Sequence, residues 1–185
     1  MTTARTIAIY YATRDGQARR IAEHVCGRLS EDAPLAPPQD LAVAEPKAED
    51  FAALSPVVLI AAVRYGRHLP EADRFLSVYR SLEKPPPLAL ASVNLTARKP
   101  EKTTATGNAY LRKTIARHQL KPALAVAFAG RLDYSRYSRR DRAIIRFIML
   151  LTGGPTDPGT RVEYTSWDAV DDFAAAIAAL RRQCG

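Results

Sequence analysis

A short polar loop near the N-terminus has the residue types needed to hold a phosphate group. After the apolar run 7–12 it supplies a hydroxyl, a guanidinium, a carboxylate, a glycine and an amide, at Thr13, Arg14, Asp15, Gly16 and Gln17. Glycine lets backbone N–H groups turn inward, and a helix that follows adds its positive dipole end. The alternative is an ordinary strand-to-helix turn in which Thr13 is a local cap.

Several other classes of site lack their motifs. The loop has neither the second glycine of GxGxxG nor a GKS or GKT sequence, so a monophosphate is favoured over a dinucleotide or a triphosphate. Ser92 has no GxSxG context, which disfavours a hydrolase nucleophile. We predict no metal site, because no metal-ligand spacing joins the histidines and cysteines: His24, His68, His118, Cys26 and Cys184.

The elements that would position the loop alternate along the chain. Apolar runs predict strands at 5–11, 56–63, 88–93 and 123–129, and one-sided apolar spacing predicts helices at 16–29, 70–82, 103–118 and from Ser166. We also expect a weak edge strand at 34–36 or 41–44, and a short edge piece at 162–164. This alternation predicts a flavodoxin-like doubly wound α/β fold, with five parallel strands in the order 2-1-3-4-5 and helices on both faces.

The composition indicates the number of domains, the cellular compartment and the charge of the partners. With 185 residues, 47% of them hydrophobic, the chain suits one domain spanning 1–185. No apolar run is long enough for a signal sequence or a membrane span, so we expect a cytoplasmic protein. The net charge of +8 favours anionic partners.

A basic insert at about 131–157 departs from the alternation. Arginines and tyrosines interleave in its first part, and its second part predicts an amphipathic helix. Arg139, Arg142 and Arg146 share one predicted face, and Ile144, Phe147, Ile148 and Leu151 share the other. This pattern favours contact with an anionic membrane surface or a quinone, ahead of a partner protein. Nucleic acid is the least favoured partner, because a phosphate backbone gives the apolar half no role.

Two levels of resemblance support a flavin site. The stretch 9–17 resembles the FMN-phosphate signature of flavodoxins, except that Ala18 replaces its second threonine, a loss that backbone amides and Gln17 would offset. The runs 60–66, 92–102, 131–142 and 152–157 together resemble the flavodoxin-type, quinone-dependent protoporphyrinogen oxidases of bacterial haem biosynthesis. This second resemblance covers nearly the whole chain.

The resemblance implies FMN as cofactor, protoporphyrinogen IX as substrate, and menaquinone or ubiquinone in the membrane as electron acceptor. It implies a peripheral location on the cytoplasmic face of the inner membrane, and flavin chemistry with no catalytic side chain. The cofactor would contact Thr13 to Gln17 and the two following sheet loops, at Arg64, Tyr65, Gly66, Ser92, Val93, Asn94 and Leu95. The substrate or membrane candidates are Arg67, Arg131, Tyr134, Arg136, Tyr137, Arg139, Arg142, Phe147 and Ile148.

The alternative function is a flavodoxin-like electron carrier or a generic FMN-dependent quinone reductase. Carrier flavodoxins are acidic, whereas this chain is basic and has Arg64 and Arg67 on both sides of Tyr65. Planar guanidinium groups suit the two propionates of protoporphyrinogen, although any single arginine also fits a solvated surface position. The oligomeric state stays open.

Overall fold

Strands and helices alternate along the chain, as predicted. The computed structural model describes residues 6–31, 35–133, 139–157 and 159–183. The strands are β1 (Thr6–Ala12), β2 (Gln39–Asp40), β3 (Leu54–Arg64), β4 (Arg67–His68), β5 (Leu88–Val93), β6 (Leu124–Phe128), β7 (Arg131–Asp133) and β8 (Arg161–Glu163). The helices are α1 (Gln17–Ser30), α2 (Pro70–Ser81), α3 (Ala109–Arg117), α4 (Arg139–Thr152) and α5 (Trp167–Gln183).

The main sheet has the order β2-β1-β3-β5-β6, and each of these neighbouring pairs is parallel. Counting the parallel strands alone, this is the predicted order 2-1-3-4-5. Strand β4 adds to β3 as an antiparallel hairpin. The carboxyl ends of β1, β3 and β5 therefore lie side by side, which brings the loops that follow them to one edge.

Side chains along each central strand alternate between two cores, because successive residues of a strand point to opposite faces. On β1, Ile7, Ile9 and Tyr11 pack with α1 and α5, whereas Tyr10 and Ala12 face the core that contains α2 and α3. Covering both faces of a parallel sheet with helices explains why its central strands are apolar throughout. The sheet is therefore buried on both faces, and the loops at its edge are not constrained by this packing.

Three predicted elements need correction. The edge strand is Gln39–Asp40, between the two predicted stretches, and pairs with β1 through Tyr10 and Tyr11. Helix α3 begins at Ala109, not Thr103, because Asn108 caps it and residues 95–98 and 100–102 form 3₁₀ turns. The piece predicted at 162–164 is Arg161–Glu163 and pairs with β7, outside the main sheet.

Candidate functional site

A pocket lies at the carboxyl edge of the sheet, where the fold rule for doubly wound sheets places ligands. Its wall combines the loop after β1, the β3–β4 turn, the loop after β5, and the start of α4. The lining residues include Thr13, Asp15, Gln17, Ala62, Val63, Arg64, Tyr65, Gly66, Val93, Asn94, Leu95, Thr96, Tyr110, Arg131, Asp141, Ile144 and Ile145. Most predicted cofactor residues thus meet in one place.

The loop after β1 is held open by a left-handed glycine. Gly16 has φ 84°, and its N–H donates to Thr13 Oγ1 at 3.0 Å. A Cβ added at Gly16 would meet nothing within 4 Å, so the space beside it is clear. Within the described residues, no side chain caps α1, whose first N–H groups can therefore bind an anion.

Gln17 lines the pocket, but its amide is already used. Its Nε2 donates to Thr165 Oγ1 at 2.8 Å and to Glu163 Oε1 at 3.1 Å, while its Oε1 accepts from Arg20. The expectation that this side chain offsets the threonine lost at Ala18 stays a prediction, and it would require Gln17 to give up one of these hydrogen bonds. Gln17 ties the start of α1 to the segment before α5.

Arg14 does not line the pocket. Its guanidinium forms a two-bond ion pair with Glu71 of α2, and one of these bonds, from Nη2 to Oε2, is 3.0 Å long. Burial raises the pKa of Glu71, but the hydrogen bonds from Arg14, a backbone hydrogen bond and the charges of Arg14 and Arg74 together outweigh burial and lower that pKa. Arg14 links the loop to α2, whereas it was predicted to contact the cofactor.

The β3–β4 turn presents an aromatic ring to the pocket. Tyr65 has φ 51° and Gly66 has φ 79°, so the turn uses two consecutive left-handed residues. The Tyr65 side chain is 61% exposed, and the Arg64 guanidinium lies 5.4 Å from its ring centroid. Arg67 continues the hairpin as an exposed residue that does not line the pocket.

Helix α4 covers the pocket and is attached to the turn through Asp141. This carboxylate accepts a 2.6 Å hydrogen bond from Arg64 Nη2 and another from the Tyr65 hydroxyl, and the residue is 5% exposed. Ile144 and Ile145 follow on the same helix and line the pocket. Asp141 is a site residue that the sequence analysis missed; an acid inside an arginine-rich run was its only signal.

The loop after β5 is positioned by buried asparagines. Asn94 Oδ1 accepts hydrogen bonds from the Ala97 N–H at 3.2 Å and from Asn108 Nδ2 at 3.1 Å. Asn108 Nδ2 also donates to the Lys102 carbonyl at 2.9 Å, and its Oδ1 accepts from the N–H of Leu111 at the start of α3. Asn108 is fully buried, and nothing in the sequence pattern pointed to it.

Ser92 and His68 lie beneath this loop. Ser92 is fully buried and accepts a 3.0 Å hydrogen bond from Asn94 Nδ2, so it is not on the pocket wall with its predicted neighbours Val93, Asn94 and Leu95. His68 shares hydrogen bonds of 2.8 Å with Ser92 and with Thr114. Burial lowers the pKa of His68 to about 4, so this ring is neutral at physiological pH.

The insert forms the predicted helix but packs by a different stripe. Asp141 and Met149 are buried, whereas Phe147 and Leu150 are 61% and 69% exposed. The inward stripe of every fourth residue, Asp141, Ile145 and Met149, belongs to neither the predicted arginine face nor the predicted apolar face. Arg142, predicted on the arginine face, is half-buried.

The remaining candidates are only partly described. Arg131 lines the pocket, and its Nη2 donates to Asp133 at 3.1 Å. Tyr134, Arg136 and Tyr137 lie outside the described residues, as do the side chains of Arg139 and Ile148.

Comparison with known proteins gives one sequence family and one fold. A sequence model of the flavodoxin domain matches residues 8–159. The chain is 39% identical over 176 residues to the protoporphyrinogen IX dehydrogenase [quinone] of Escherichia coli strain K12, covering 93% of this chain and 94% of that protein. It is 36% identical over 170 residues to the enzyme of that name from Leishmania major, covering 92% of this chain and 73% of that one.

Solved structures share the fold at low identity. Oxidised flavodoxin 1 from Bacillus cereus superposes with a TM-score of 0.53 at 12% identity, covering 94% of this chain and 97% of that one. The rubredoxin oxygen:oxidoreductase of Desulfovibrio gigas gives a TM-score of 0.59 at 10% identity, covering 97% of this chain and 37% of that protein.

Proposed function

The chain belongs to the flavodoxin domain family, and from this premise we propose that it holds FMN in the pocket and oxidises protoporphyrinogen IX to protoporphyrin IX, with a quinone as electron acceptor. The observation that carries the proposal is the 39% identity to a protoporphyrinogen IX dehydrogenase [quinone] over 93% of the chain. The pocket supports it, because both the phosphate and the ring of a flavin nucleotide have a matching surface.

The residues present fit FMN. The clear space at Gly16 and the uncapped start of α1 suit a phosphate. Apolar groups of Ala62, Val93 and Ile145 line the pocket and suit a planar ring. The exposed ring of Tyr65 offers a stacking surface at the same edge.

In this proposal bound FMN supplies the redox chemistry, accepting reducing equivalents from the macrocycle and releasing them to the quinone. The residues of the chain bind the cofactor and the substrate and orient them. Thr13 and Gly16 shape the phosphate end, and the buried link from His68 through Ser92 to Asn94 fixes the loop after β5 relative to the β3–β4 turn. Ile144 and Ile145 of α4 exclude water from the same pocket.

The test is anaerobic reduction of the purified holoprotein. Adding protoporphyrinogen IX should bleach the flavin absorbance while porphyrin fluorescence appears, and adding a quinone should restore the absorbance. Porphyrinogen oxidation is spontaneous in air, so a buffer blank and the protein freed of FMN are the controls. A flavin that is not bleached by the porphyrinogen, but is reduced by a reductase, would favour the electron carrier instead.

We also propose that the outer face of α4 binds an anionic membrane surface, where a lipophilic quinone is available. Phe147 and Leu150 are exposed about one and two turns beyond the pocket residue Ile144, and Arg140 and Arg146 are exposed on the same helix. In the described residues, no helix is both long enough and apolar enough to cross a bilayer.

The energies suit reversible attachment. Burying the exposed parts of Phe147 and Leu150 would contribute roughly 2–4 kcal/mol. Each arginine near an anionic leaflet adds about 1 kcal/mol, which weakens as salt is raised.

Vesicle flotation with anionic and with zwitterionic lipids tests this attachment. The double variant Phe147→Ser/Leu150→Ser should keep its flavin absorbance, lose binding to anionic vesicles and lose turnover with a long-tailed quinone, but keep turnover with a short-tailed one. Val43→Ser is the matched control, since Val43 is 86% exposed and does not belong to α4. Equal flotation of the double variant and the wild type would contradict the membrane proposal.

A further inference from the structure

A carboxylate of the chain itself occupies the mouth of the pocket. Asp141 lies 77 residues beyond Arg64 and accepts hydrogen bonds from Arg64 Nη2 at 2.6 Å and from the Tyr65 hydroxyl. Its side chain is 7% exposed and that of Arg64 is 30% exposed. The contact joins the turn after β3 to the first turn of α4.

The two donors form a carboxylate-binding pair. A guanidinium and a phenol directed at one carboxylate give charge-assisted hydrogen bonds, about twice as strong as those between neutral groups. Both donors belong to a turn on the central sheet, and the left-handed φ of 51° at Tyr65 sets the direction of its ring. Asp15 Oδ1 is 3.9 Å from Arg64 Nη1, beyond hydrogen-bond distance, so it adds charge near the pair without occupying it.

We propose that Arg64 and Tyr65 form the subsite for a propionate of the porphyrinogen, and that Asp141 fills this subsite until the substrate carboxylate displaces it. The inference rests on the proposed function and adds to it a site for one functional group of the substrate. Arg64 lines the same pocket that would hold the flavin, so a carboxylate bound there would place the macrocycle beside the cofactor.

The exchange is balanced in charge. One carboxylate replaces another on Arg64, so the half-buried guanidinium has a carboxylate partner both before and after the exchange. The displaced Asp141 lies in the first turn of α4, where the helix dipole favours a negative charge even after the ion pair is broken.

A competing occupant and a purely structural ion pair predict opposite effects. If Asp141 only fastens α4, then Asp141→Asn and Arg64→Gln should both weaken ligand binding. If Asp141 competes with the ligand, Asp141→Asn should strengthen carboxylate binding, whereas Arg64→Gln should weaken it. The sign of the Asp141→Asn effect therefore separates the two.

The experiment measures equilibrium binding of protoporphyrin IX and of its dimethyl ester to the FMN-loaded protein, which does not require turnover. We expect Arg64→Gln to weaken binding of the free acid about tenfold or more, as expected for a lost charged hydrogen bond. Asp141→Asn should strengthen binding of the free acid several-fold, and neither variant should change binding of the ester. Asp172→Asn and Arg112→Gln, both exposed and outside the pocket lining, are the matched controls.

Two further variants protect the test against misfolding, and flavin absorbance and circular dichroism verify each protein. Arg64→Lys keeps the charge but loses the planar geometry, and Tyr65→Phe removes only the hydroxyl. Both variants should weaken binding of the free acid and leave binding of the ester unchanged. The subsite is refuted if the wild type binds acid and ester equally, or if Asp141→Asn weakens both. Selective acid binding by a protein that does not oxidise the porphyrinogen would refute the proposed function and leave the subsite standing.

Discussion

Replacing Asn108 should destabilise the protein through two contributions that can be measured separately. Its Oδ1 accepts the N–H of Leu111 as the cap of α3, and its Nδ2 donates to Asn94 Oδ1 and to the Lys102 carbonyl. Losing a cap costs about 1 kcal/mol. Each buried hydrogen bond adds about 0.5–1.5 kcal/mol. Asn108→Ala should therefore lower the free energy of unfolding by about 2–4 kcal/mol, because Asn108 is fully buried and water cannot replace the lost partners.

Asn108→Ser separates the two contributions, because a serine hydroxyl can still cap the helix but cannot reach both acceptors. Its expected cost is about 1–2 kcal/mol, between the wild type and Asn108→Ala. Urea unfolding of the FMN-free protein is the assay, since ligand binding would add its own stabilisation. Lys113→Ala, at an exposed position of α3, is the control. If both Asn108 variants match the control, the buried asparagines do not hold the loop after β5 as argued.

Three further predictions concern groups around the pocket. The pKa of His68 is about 4 in the folded protein. Because an unfolded histidine titrates near ~6.5, up to about 3 kcal/mol of stability present above that pH should be lost by pH ~4. Urea unfolding across this range should give a flatter pH dependence for His68→Gln than for wild type, and equal slopes would refute the assignment. Arg14→Gln should raise the pKa of Glu71 and so remove stability that is present above the ordinary pKa of a glutamate and is lost as pH falls through the lower folded-state pKa. The variant should be less stable than wild type at neutral pH and should lose less stability on acidification; an equal pH dependence of the two proteins would contradict the ion pair's role. Gly16→Ala should cost about 1–2 kcal/mol through its left-handed φ alone, and Gly16→Asn less, in urea unfolding. Equal stability of all three proteins would show that this φ carries no strain.

The sequence predicted the sheet well because buried parallel strands leave a strong signal. The run 88–93 coincides with β5, and the strand order was correct. Elements without periodicity were missed or misplaced. Strand β2 has two residues, too few for any alternation, and the start of α3 depends on Asn108 and on Gly107, where a Cβ would lie 2.0 Å from the Glu101 carbonyl oxygen.

The sequence predicted which loops form the site, but it did not predict which side chains contact each other there. Loop positions follow from strand order, so Thr13, Tyr65 and Asn94 meet at one pocket as expected. Their roles toward FMN stay predictions. The partners of Arg14 and Gln17 come from α2 and from the segment before α5, and no local pattern reveals a contact over 57 or 148 residues.

The pairing of β7 with β8 closes the insert at its base. Asp133 and Arg161 are register partners, so the chain leaves the fold and returns to it at one paired position. A short hairpin turn joining these two residues would close the ribbon and leave the five parallel strands without a break. Such a shortened chain would retain the β1, β3 and β5 loops but lose the wall from α4, the Asp141 contacts with Arg64 and Tyr65, and the packing of Met149 near Leu95. The length of the insert could then change without any change in the register of the main sheet, whereas the pocket itself draws on both parts of the chain.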